Sequence, residues 1–128
     1  MSSLIIDTNA YSRFMRGDAQ AIAVLTDAVE IHLPLVVLGE LLAGFAAGGR
    51  AQANRDDLAE FMASAHVHLM QPDEKSARHY AHLYVVLRRQ GTPIPTNDLW
   101  IAALARQHRL PLLTFDAHFR NVSGLVLL

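Results

Sequence analysis

Five short apolar runs, separated by stretches long enough for one or two helices, limit this chain more than any other feature. Residues 4–7, 30–33, 67–70, 112–114 and 125–128 read as strands. One or two helices are expected over about 9–29, another over 35–47 ended by Gly48 and Gly49, and a polar-faced one over 51–65. A long helix over 73–90 stops at Gly91, and a last one runs from a cap at Thr96 or Asn97 to about Arg109. Strands alternating with helices of this length predict right-handed βαβ units. The expected fold class is therefore α/β, with three layers (α/β/α) and a central, mostly parallel sheet of four or five strands. In such sheets ligands gather beyond the carboxyl ends of the strands.

At 128 residues, residues 1–128 are expected to form one domain around a single core. Hydrophobic residues make up 52% and charged ones 18%, which excludes a disordered chain. Cysteine is absent, so neither a disulfide framework nor a thiolate metal site is available, and a cytoplasmic location is expected. The start of the chain carries no basic segment followed by a long apolar one, so no signal peptide is expected. The most apolar segment, "LPLVVLGELLAGFAAGG", contains Pro34 and Glu40 and falls short of the roughly 20 apolar residues of a membrane span. Its Gly44 and Gly48 are expected to serve close helix packing. A net charge of −1 gives no global attraction for nucleic acid.

Among twelve acidic residues, most lie in polar stretches, but four are embedded in apolar sequence. Asp7 follows "LII", Glu40 lies inside "VVLGELLAGF", Asp98 precedes "LWIAALA" and Asp116 follows "LLTF". Asp7, Asp98 and Asp116 would each make an ordinary helix cap or first-turn acid. Glu40 has no Lys or Arg within nine residues on either side, so no local ion pair can hold it. Buried carboxylates are costly unless they are paired or hold a metal. Several of them at one sheet edge repel one another unless a divalent cation neutralises them, and an all-oxygen set suits Mg²⁺ or Mn²⁺. Such an ion can activate water against a phosphodiester.

Other chemistries fit less well. "GELLAGFA" has a P-loop's glycines but lacks its lysine, and a phosphoacceptor pocket would need a lysine after a late strand, whereas the only lysine is Lys75. No G-x-S-x-G elbow is present. His66 with His68, and His79 with His82, lack a third ligand and read as surface or packing residues. His118 reads as a loop residue within reach of substrate.

"LIIDTNAYSRFMRGD", "LPLVVLGELLAGF" and "IPTNDLWIAALARQHRLPLLTFDAHFRNVSGLVLL", in this order and spacing, resemble a PIN domain, most closely the VapC-type ribonuclease toxins of toxin–antitoxin pairs. The resemblance covers nearly the whole chain and implies a PIN-like fold. It places the family's acidic quartet on Asp7, Glu40, Asp98 and Asp116, with Mg²⁺ or Mn²⁺ held mainly by Asp7 and Asp98. Thr8, Asn9, Asn97 and Thr114 lie beside these and would orient ligands or water. It also implies an RNA substrate, a cognate antitoxin wrapped over residues 35–45 and the first helices, and a homodimer; the shortness of the apolar segment already argues against a membrane role. Arg13, Arg16 and Arg120, with Arg50 and Arg55, are candidates for RNA contact. A PIN-fold nuclease of RNA processing without a toxin role, and a non-catalytic RNA- or protein-binding module, are the alternatives.

Overall fold

The computed structural model describes residues 2–128. The chain runs β1 (Ser3–Ile6), α1 (Thr8–Met15), α2 (Ala19–Asp27), β2 (Glu30–Pro34), α3 (Leu35–Ala47), α4 (Ala51–Ala63), β3 (Val67–Met70), α5 (Glu74–Gln90), α6 (Thr96–His108) and β4 (Leu112–Leu113). A short 3₁₀ helix, Ala117–Asn121, follows. The four strands pair in the order β3-β2-β1-β4, all parallel. Leu4, Ile5, Ile6, Leu33, Leu112 and Leu113 are essentially sealed from solvent, as strands covered on both faces must be. The α/β architecture expected from the alternation is the one observed.

This order contains a reversal. The chain steps outward from β1 to β2 and β3, then returns to place β4 on the other side of β1. A crevice opens where neighbouring connections diverge in this way, outside the carboxyl ends of the strands. Asp7 directly follows β1, and Asp116 lies three residues beyond β4.

Local structure narrows some of these expectations and overturns others. The stretch over 9–29 is two helices, because Gly17 takes φ +85° and Asp18 restarts the helix by accepting from the Ala21 N–H at 3.0 Å. Neither Thr96 nor Asn97 caps α6: Pro95 occupies that place without a side-chain bond, and Asp98 falls in the first turn. The closing strand over 125–128 reduces to a single parallel bridge, Leu112 to Leu127, held by two 2.9 Å backbone bonds to Leu112. Pairing stops there because β4 is two residues long and the chain then turns to present Thr114 and Asp116. Gly44 has open space where a Cβ would be, so close helix packing does not explain it. His68 is drawn into a pair with Glu30 and lies beside His32, because the β2–β3 register sets His32 opposite His68.

The core gathers the strands under α6, whose Ile101–Ala105 stretch is buried throughout. Edge-to-face packing of Tyr11 on Phe61, ring centroids 5.1 Å apart, ties α1 to α4. Phe119, fully buried, pins the 3₁₀ helix and with it the loop that carries Asp116. Phe119→Ala should lower the unfolding free energy by about 3–5 kcal/mol. Val126→Ser, at a side chain 63% exposed, should stay within about 0.5 kcal/mol, both read by urea titration.

Candidate active site

A cavity of about 410 Å³ opens at the crevice beside Asp7 and Asp116. Asp7, Glu40, Asp98 and Asp116 all line it, delivered by four separate segments of the chain. Thr8, Asn9 and Asn97 line it as well. Thr114 lies beneath, buried, in contact with Asp7.

Asp7 is held most firmly. Its Oδ1 accepts the Ala10 N–H at 2.8 Å, which caps α1, and its Oδ2 accepts the Thr114 hydroxyl. Only 3% of the residue is exposed. Burial pushes the Asp7 carboxyl above its ordinary 3.8, against the two hydrogen bonds, and the charges of Asp98 and Asp116 push the same way. The Thr114 oxygen in turn accepts the Asp116 N–H at 3.0 Å. One hydroxyl therefore couples the ends of β1 and β4.

Glu40 projects from mid-α3 into the cavity, where its Oε1 accepts the Thr8 hydroxyl at 2.7 Å. Asp98, in the first turn of α6, is also raised by burial, opposed by a hydrogen bond from His118. Asp116 caps the 3₁₀ helix by accepting the His118 N–H at 2.9 Å. Asp7 and Asp116 thus cap helices and line the cavity at once, and Asp116 Oδ1, the oxygen that caps, is also the one nearest the His118 ring.

His118 is more than the loop residue its local sequence suggests. Its Nδ1 lies 3.1 Å from Asp98 Oδ2 and 3.1 Å from Asp116 Oδ1. These three groups offer ligand atoms within 4.8 Å of one another. Asp7 and Glu40 line the same cavity but stand outside that trio. The one local signal is the placement of His118 two residues after an acid on a tight turn. Pro95 and Thr96 also line the cavity, and nothing in their local sequence marks them.

Among the described residues, no Lys or Arg lines it. Arg13 sits over the Phe115 ring, 4.3 Å from its centroid, and 3.5 Å from Asp18. Arg16 and Arg50 line a second cavity of about 440 Å³ between α1, α3 and α4. Arg120 is exposed on the 3₁₀ helix, and Arg55 is exposed on α4 beside Gln52. Four carboxylates with an imidazole and no strong base fit a divalent cation, which would offset that much like charge.

The raised Asp7 and Asp98 groups set a pH signature in metal-free protein. A folded state that holds its protons more tightly than the unfolded chain is stabilised at low pH. That contribution is lost as pH climbs from about 4 through the raised values. Asp18 and Asp73 are lowered and act in the opposite sense, so the difference between proteins is the informative quantity. Asp98→Asn should flatten the fall and raise the metal-free melting temperature at pH 7 by about 2–6 °C. Melting curves from pH 3 to 8 in chelator measure it.

Comparison with known proteins identifies the fold and the family. The family model for the PIN domain matches residues 4–125. Ribonuclease VapC5 of Mycobacterium tuberculosis is 30% identical over 120 residues, 94% of this chain and 87% of that protein. VapBC-1 of nontypeable Haemophilus influenzae has a chain that superposes with a TM-score of 0.84 at 23% identity, over all of this chain and 97% of its own. VapBC-5 of Mycobacterium tuberculosis, a member of the VapBC family of toxin–antitoxin systems, gives a TM-score of 0.73 at 28% identity, over 98% and 95%. With the family model spanning nearly its full length, the chain belongs to the PIN domain family and, within it, to the VapC proteins.

Proposed function

We propose that this protein is a Mg²⁺- or Mn²⁺-dependent endoribonuclease, the cytoplasmic toxin of a VapBC-type pair, with residues 1–128 acting as one PIN domain. The convergence of Asp7, Glu40, Asp98 and Asp116 on one cavity carries the reading, and the ribonuclease and toxin–antitoxin names of its relatives support it. In this reading the four acids form the catalytic and metal-holding set. Such a cation, when bound, supplies Lewis acidity, which offsets phosphate charge and acidifies water.

The chain's own groups then do the positioning. Ala10 N–H and the Thr114 hydroxyl fix the Asp7 carboxylate, so its free lone pairs face the cavity without reorganisation. Thr8 steers Glu40. The amino ends of α1 and α6 open on the cavity through Thr8, Asn9, Thr96 and Asn97, and helix amino ends favour anionic phosphate. Asn9 and Asn97 are assigned to orienting water or phosphate oxygen. Arg13, Arg16 and Arg120 are assigned to the RNA backbone flanking the cut, where phosphate contacts supply affinity without sequence choice.

A cognate antitoxin is assigned to α1 and α3. The second cavity there is lined by Tyr11, whose buried hydroxyl has no hydrogen-bond partner among the described residues, and by the exposed, apolar Met15. A homodimer completes the proposed assembly.

RNA cleavage in Mn²⁺, followed by sequencing of the cut ends, tests the activity. Asp7→Asn and Asp98→Asn should each lower the rate about 100-fold or more, as expected from losing several kcal/mol of charge stabilisation. Melting curves should show both variants folded. Glu40→Gln should cost about 10-fold and weaken the response to Mn²⁺. Cleavage that persists in EDTA, or unchanged rates in all three variants, would overturn the reading.

A further inference from the structure

We infer that the His118 imidazole is a ligand of the proposed cation and tilts the site toward Mn²⁺ and away from Mg²⁺. The inference rests on the metal centre proposed above but goes beyond its all-carboxylate set. His118 Nδ1 stands 3.1 Å from one oxygen each of Asp98 and Asp116, which come from different elements of the fold. Adjacent donors around an octahedral ion at about 2.1 Å lie about 3 Å apart, so these two separations match the edges of a coordination shell.

The ring is aimed there by its surroundings. The His118 N–H is bonded to the Asp116 carboxylate at 2.9 Å, and the next residue, Phe119, is fully buried. The backbone is thus clamped on both sides, while the side chain, 49% exposed, reaches back over the cavity. A single Nδ1–H proton points well at only one acceptor, whereas a cation serves both carboxylates and the nitrogen together.

Chemistry then sets the preference. Mg²⁺ takes carboxylate, carbonyl and water oxygens, whereas imidazole suits first-row transition ions. Exchanging one oxygen for nitrogen therefore penalises Mg²⁺ more than Mn²⁺.

The test is binding and spectroscopy of the whole purified protein, with no RNA present. Mn²⁺-loaded wild type should show pulsed-EPR echo modulation from a directly bound ¹⁴N, and His118→Gln should lose it. Calorimetry should show Mn²⁺ affinity falling about 10-fold in His118→Gln and Mg²⁺ affinity falling by less, so the ratio shrinks. Melting curves of the half-exposed variant check its fold, and Asp98→Asn serves as the variant expected to lose both ions.

Absent nitrogen modulation in wild type would overturn the inference. So would equal loss of both ions in His118→Gln. Tighter binding of both ions would also overturn it, because the ring would then be a counter-charge that any cation displaces. Failure of the wild type to bind either ion would overturn the metal centre itself, and His118 with it. Nitrogen-ligated Mn²⁺ without RNA cleavage would overturn the ribonuclease reading and leave the His118 assignment supported.

Discussion

A carboxylate sealed from solvent at the end of the central strand organises the rest of this molecule. Asp7 is 3% exposed, and an ionised group so placed is tolerated only where hydrogen bonds replace water. Ala10 N–H supplies one and Thr114 the other. The second partner is 107 residues away in sequence, so holding Asp7 requires the β1–β4 pairing. That pairing is short, with Ile5 opposite Leu112 and Ile6 opposite Leu113, and the Thr114 hydroxyl extends it by one step through side chains. The fold's reversal point and the fixing of Asp7 are one structural event.

The same double use recurs around the cavity. Asp7 and Asp116 start helices and face the cavity with the same carboxylate groups. Thr8, the first residue of α1, donates its hydroxyl to Glu40 of α3. Structure and proposed chemistry therefore draw on the same bonds, and the acids stay in place despite their mutual repulsion. Desolvation raises Asp7 and Asp98, and the neighbouring acids add to it. The cavity is thus held in a state of electrostatic tension that a cation would relieve, and such perturbed groups commonly cluster at functional sites.

Among the described residues, lysine and arginine side chains are kept off this cavity. Arg13 is occupied by Phe115 and Asp18, while Arg16 and Arg50 border a separate cavity. The division leaves the acids free of competing internal ion pairs with arginine.

Sequence by itself determined the alternation of strands and helices, because apolar periodicity is a local property that does not depend on which elements pair. It also isolated Asp7, Glu40, Asp98 and Asp116, since an acid inside an apolar run is anomalous from its neighbours alone. For Glu40, the lack of a nearby base was enough to turn it away from a local pairing, and the Thr8 contact across 32 residues supplies the partner. Tertiary structure alone decided which neighbours those acids have. His118 reads as an ordinary loop residue until the turn after Asp116 and the first turn of α6 are brought within 3.1 Å of one ring nitrogen. The register that sets His32 opposite His68, the lone bridge in place of a fifth strand, and the scattering of the arginines are likewise invisible locally. Each depends on which strands pair and where pairing ends, and that is settled by packing across the whole core.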